Sequence, residues 1–222
     1  IDLLEHQRDF YVSAIDESKD DELKAYVIQS ADRGKMYHFI DMVKKHQIQI
    51  FHISKDLTID GINFSADQSF IVPLEQSQYR LIKAMFEKRT EFKDSLFYDV
   101  SAWTLPLAFN LDYRPMNKGN FQKSLLGEPI KEAVFPIGKV EGGKSTYGYL
   151  FECQEYYSFR AINELFKNKS TVKVATENMV LESGEIMPLG SIIVPVARQQ
   201  RNPDEIYKLM QKLAGENGLT IK

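Results

Sequence analysis

The sequence predicts an α/β protein: two pseudo-repeated β-α-β-β-α units forming a layered, mixed or parallel sheet structure, with an N-terminal lead-in helix. Three observations carry this expectation. Ser69-Phe70-Ile71-Val72-Pro73-Leu74 returns as Ser191-Ile192-Ile193-Val194-Pro195-Val196, identical at four of six positions and apolar in both copies at the other two. The surroundings repeat as well: Ala25-Tyr26-Val27 and Gly148-Tyr149-Leu150 precede the hexapeptides, Gly61 and Gly184 come just before them, and Gln76 and Gln199 follow. Finally, short apolar runs alternate with segments of helical period, the pattern of a layered sheet with right-handed crossovers.

Residues 1–18 place Leu4, Tyr11 and Ile15 near one helical face and Glu5, Arg8, Asp9 and Asp16 elsewhere, which predicts an amphipathic helix. Lys24 to Gln29 is a short apolar strand. After the polar turn Ser30 to Gly34, Met36, Phe39, Ile40 and Val43 fall at i, i+3, i+4 and i+7, a helix. The alternation from Ile48 to His52 predicts a second strand, and Asp60-Gly61 a turn. Ser69 to Leu74 is short and β-branched, a buried strand with Pro73 at its end because proline cannot donate to a central ladder. Tyr79, Ile82, Met85 and Phe86 mark the helix that closes the unit.

The second copy keeps that order: strand Gly148 to Phe151, helix Tyr157 to Phe166, strands Thr171 to Ala175 and Ser191 to Val196, then a last helix. For that helix Asn202 is the expected N-cap, Pro203 the first position, and Asp204 and Glu205 complement the dipole, with Gly215 or Gly218 to end it. The division is thus 1–22 lead-in helix from a missing upstream domain, 23–87 first repeat, 88–145 connecting segment, 146–222 second repeat. Within the connection, Tyr98 to Pro106 is aromatic and compact, whereas Arg114 to Pro129 is turn-rich and expected to be a surface loop.

The 222 residues carry a net charge of −3 with 27% charged side chains, which lacks the basic stripe that phosphate neutralisation needs, so nucleic acid is not an expected partner. No apolar run reaches the ~20 residues of a spanning helix. A single cysteine, Cys153, excludes an intramolecular disulfide. The start at Ile1 and the extended end at Leu219 to Lys222 are those expected of an excised piece of a longer protein.

Leu3-Leu4-Glu5-His6-Gln7-Arg8-Asp9-Phe10-Tyr11, the run from Phe97 to Phe109 around Trp103, and the Ile-Val-Pro strands followed by glutamine together resemble a known family. They are similar to the region downstream of the catalytic domain in bacterial zinc carboxypeptidase-like proteins of the M14 peptidase class. The resemblance runs through essentially the whole chain and is most specific around Trp103. It implies a non-catalytic accessory domain that packs on or shapes an upstream peptidase domain of the same chain. It also implies zinc in that missing domain, none in this fragment, a downstream amidotransferase-like domain as a further neighbour, and export to the periplasm or outside. The parent would be a metallocarboxypeptidase. The H-x-x-E pair and distant second histidine that such a zinc site needs have no counterpart here, since His6 and His38 head H-x-x-D at best and no histidine follows His52. No catalytic residue is carried over.

Tyr98, Asp99, Ser101, Trp103 and Thr104 form the leading candidate surface, an aromatic beside polar groups that holds a peptide or docks a domain. The same tryptophan is equally a core plug whose indole finds a backbone acceptor. Gln76 and Gln199 join the candidate binding residues because they recur. A second class of function, an independent peptide or small-molecule binding module using the cleft between the repeats, stands beside the accessory reading. Three sharper ideas weigh less. His38, His46 and His52 belong to a helix, its end and a strand, and are not expected to converge on a metal. Cys153, flanked by Glu152 and Glu155, lacks the small neighbours of a nucleophile elbow. Gly138 to Ser145 matches G-x-x-x-x-G-K-S but leads into a strand and carries Glu141.

Overall fold

The computed structural model describes residues 2–88 and 104–222, and among them the chain is mixed α/β with six helices and several antiparallel sheets. It divides into two compact units. The first takes the chain up to Ala31 and His38–Ala133; the second takes Asp32–Tyr37 and Val134–Lys222.

In the first unit, helix α1 (Leu3–Asp20) begins at Asp2, whose carboxylate accepts from Leu4 N at 2.9 Å. Its later turns pack through Ala14 and Ser18, while residues 2–12 are exposed all round. There follow β1 (Leu23–Gln29), α2 (Arg33–Lys45), β2 (Phe51–Ile53), a hairpin of β3 (Leu57–Ile59) and β4 (Ile62–Phe64), β5 (Ser69–Pro73) and α3 (Tyr79–Phe86). Asp60 and Gly61 turn the hairpin with φ of 50° and 76°, the left-handed pair that a two-residue loop demands. After α4 (Leu105–Ala108) come β6 (Asp112–Asn117), a 3-10 turn at Lys123–Leu125 and β7 (Leu126–Pro129).

The strand order is β6-β1-β5-β2-β7, with every neighbouring pair antiparallel. β1 and β2 therefore run parallel to each other across α2, but β5 lies between them. The four strands of the β-α-β-β-α-β path stand in the split order 4-1-3-2. Tyr26 and Val72 are partners on one face, where Tyr26 stacks on Phe86 and Phe86 meets Phe39 edge-on. The other face holds Ala25, Val27, Ile71 and Met116, packed with Ile59 and Phe64 from the hairpin.

The second unit contains β8 (Lys139–Val140), β9 (Gly148–Phe151), α5 (Ser158–Lys167), β10 (Lys173–Val174), a hairpin of β11 (Met179–Val180) and β12 (Ile186–Met187), β13 (Ile192–Pro195), α6 (Pro203–Asn217) and β14 (Thr220–Ile221). β13 lies antiparallel between β10 and β9, with Val194 opposite Tyr149. Leu150 and Lys222 exchange backbone hydrogen bonds at 2.7 and 2.8 Å, which extends this sheet through the end of β14 to β8, its parallel neighbour. The order is again 4-1-3-2. Tyr149, Phe151, Ile192 and Val194 bury one face against Ala161, Leu165, Ile206, Met210 and Leu213 of the helices. α6 starts with a full capping box between Asn202 and Glu205 and stops at Gly218, whose φ is 66°.

β8 and β14 form one parallel pair, so the pairing is mixed, and in each unit the two strands that a helix joins are not neighbours because the later strand inserts between them. One expectation needs correction. The stretch Arg114 to Pro129 is no loop throughout: β6 and β7 occupy much of it. Pro115 is tolerated because β6 is an edge strand and Pro129 because it ends β7.

Candidate functional site

Tyr98, Asp99, Ser101 and Trp103 lie outside the described residues. Thr104 is described: its hydroxyl donates to Glu87 O at 2.8 Å and its carbonyl accepts from Leu107 N and Ala108 N, starting α4. It acts on the backbone.

The two glutamines perform one task in two places. Gln76 Nε2 donates to Pro73 O at 2.5 Å and to Gln49 O at 3.2 Å, while its Oε1 accepts from Gln49 N at 2.7 Å. Gln199 Nε2 donates to Pro195 O at 2.9 Å and Thr171 O at 2.8 Å, and its Oε1 accepts from Thr171 N at 2.9 Å. A primary amide has one acceptor oxygen and two donor hydrogens, and each side chain uses both functions as a strand residue would. The amide thus satisfies the backbone just past a strand that ends in proline and just before the neighbouring strand begins.

The histidines are dispersed: His38 on α2, His46 beyond its end, and His52 on β2 with its ring 4.9 Å from that of Phe70. Among the described residues no group of three or more His, Cys, Asp or Glu is placed to hold a metal. Cys153 is half-buried against the core of the second unit. The segment Gly138 to Ser145 holds β8 and passes into β9 rather than a helix. Ser145 Oγ accepts from Tyr147 N and Gly148 N, both at 3.1 Å, and Lys144 pairs with Asp204 at 2.5 Å. A side chain at Gly138 would collide with Ala214 O, so this glycine admits the close approach of the α6 backbone.

A set of charged groups with a perturbed member gathers at the start of α2, within the second unit. Asp32 is the cap: Oδ1 accepts from Lys35 N at 3.0 Å and Oδ2 from Tyr156 N at 2.7 Å, with Lys35 Nζ at 3.5 Å. Arg33 donates to Gly218 O at 2.7 Å, Ile137 O at 3.3 Å and Thr220 Oγ1 at 3.4 Å. Gly34 lies so close to Tyr157 that an added Cβ would stand 3.0 Å from its ring. Phe135 meets both Tyr37 and Tyr157 edge-on at 5.3 Å, and the Arg160 guanidinium sits 4.3 Å from the Tyr157 ring centre. Beside them, Glu155 is partly buried. That burial and the neighbouring Asp32 push its carboxyl up to about 7, with Arg33 opposing and Glu152 adding to the rise. Sequence reasoning passed over this group. The signal was present in the polar turn before α2, where an aspartate stands at the position of a cap.

The second exposed feature is α1. Leu3, Leu4, Phe10 and Tyr11 continue the stripe that Ala14 and Ser18 bury, with Leu3 77% and Leu4 72% exposed. The later turns are held by Arg80, which is bonded to Glu17 and Ser13, donates to Phe10 O at 2.9 Å and lies 4.4 Å over the Phe10 ring.

No helix among the described residues is long and apolar enough to cross a membrane. No family model matches the chain, and no curated protein or solved structure compared with it matches either.

Proposed function

We propose that this chain is a non-catalytic accessory module of a zinc carboxypeptidase-like protein of the M14 class, built from two copies of one β-α-β-β-α unit and packing on or shaping the peptidase domain. The exposed stripe of α1 carries the reading. A helix of this length gains little stability from propensity alone and relies on burying an apolar face. Here the face extends past its own support, and Leu3 and Leu4 stand in water. Contiguous apolar side chains left in that state mark a surface that another protein covers. The matched strand orders, the shared Tyr-Val pairing and the two glutamine bridges support the duplication.

Titration calorimetry of this chain against a bacterial M14 peptidase domain tests the proposal. Saturable binding that is lost in a Leu3→Asp/Leu4→Asp variant is expected, with less than one zinc per chain in the isolated module. Absence of binding, or binding unaffected by the double substitution, overturns the docking role; one tightly held zinc per chain overturns the non-catalytic one.

A further inference from the structure

We infer that the contact between the first turn of α2 and the loop from Glu152 to Tyr157 is a pH-sensitive latch, fastened when Glu155 is neutral and strained when it ionises. Three carboxyl groups, those of Asp32, Glu152 and Glu155, act on one another there. Asp32 is already engaged: it caps α2 through Lys35 N and reaches across to Tyr156 N, and its side chain is only 11% exposed. Tyr156 directly follows Glu155, so the amide that Asp32 grips and the carboxyl that opposes it belong to neighbouring residues. Among the described residues the Glu155 side chain has neither a hydrogen bond nor an ion pair, and it is partly withdrawn from water.

The charged groups around it come from α2 and from its own loop. On α2 these are Asp32, Arg33 and Lys35; on the loop, Glu152; on α5, Arg160 is already engaged with Tyr157, Asn217 and Glu216 O. Arg33 is the only cation among the groups that act on Glu155, and its guanidinium is spent on Gly218 O, Ile137 O and Thr220. Lys35 is paired to Asp32. A second anion therefore meets no free cation there, and it weakens whichever bond can yield. The bond that yields is Asp32 to Tyr156 N, which joins the start of α2 to the residue after Glu155, whereas the cap at Lys35 N is local to its own helix. Close packing of Gly34 on Tyr157 leaves the loop little room to shift without breaking that contact.

The test is a pH titration of the whole chain followed through backbone amide resonances. The Tyr156 and Lys35 amides are expected to share a midpoint near pH 7, with Tyr156 losing its low-field position and its protection from exchange on the alkaline side. Glu155→Gln is expected to abolish that midpoint and hold Tyr156 in its acid-side position throughout. Glu152→Gln keeps the titration and moves it to lower pH, because one repelling charge is gone. A Tyr156 amide that shows no midpoint between about pH 5.5 and 8.5, or one that persists in Glu155→Gln, overturns the latch.

Discussion

The Tyr79 hydroxyl donates to the Asp21 carboxylate across 2.7 Å, and Lys83 reaches the same oxygen at 2.8 Å. This pair fixes the residue that ends α1 to the first turn of α3, next to the point where β1 begins. Asp21 also accepts from Leu23 N at 2.9 Å. These donors outweigh the desolvation that acts on the carboxyl and hold it down at about 2.

The sign of the pH effect follows. A carboxyl lowered in the folded state stabilises the protein above its unfolded value, here 3.8, and that contribution is lost as pH falls toward about 2. Urea unfolding should show stability rising between about pH 2 and 4. Asp21→Asn should flatten that rise, and Tyr79→Phe should cost about 1 kcal/mol at neutral pH after allowing for partial exposure.

Glu155 titrates in the opposite sense. Its folded value lies above the ordinary 4.5, so its cost is absent in acid, grows from about pH 4.5 and is complete above about 7. Glu155→Gln should be more stable than the parent at pH 8 and no different from it at pH 4. Thermal melts at the two pH values check this.

Removing either glutamine bridge strands backbone groups. Gln76 is 7% exposed, so Gln76→Ala should cost about 2–3 kcal/mol, and Gln199→Ala less because its site is wetter. Gln76→Glu should be worse than Gln76→Ala at neutral pH, since a carboxylate would face Pro73 O and Gln49 O. Chemical denaturation of the three variants ranks them.

Two glycines in one segment should behave differently. Gly138→Ala drives a methyl into the backbone of Ala214 and Leu219 and should cost at least about 3 kcal/mol. Gly143 has a φ of 74° with open space around it, so Gly143→Ala should cost only the roughly 1–2 kcal/mol of the left-handed conformation. The comparison separates steric contact from backbone strain.

The helices were legible because their apolar spacing and caps are local: Met36 to Val43 and Asn202 to Glu205 announce themselves within a few residues. The buried strands Ser69 to Pro73 and Ile192 to Pro195 were legible from β-branching and repetition. Their neighbours were not, because which strand lies beside Val72 depends on a partner, Tyr26, far back in the chain. The strands β6 and β7 were hidden by Pro115 and Pro129, which read as punctuation until the edge position makes them harmless. Glu155 was visible as a residue beside Cys153, but its burial and its neighbour Asp32 belong to the folded chain alone.

The insertion of β5 between β1 and β2 dictates a timetable. As the chain emerges from a ribosome, β1, α2 and β2 exist before the strand that joins them, and the edges they turn toward each other stay unpaired until Pro73 is free. The second sheet waits in the same way for Pro195. Pairings of such sequence separation slow folding, and until the middle strand arrives each half-built sheet offers hydrogen-bonding edges to any neighbour, the kind of exposure that favours aggregation over folding.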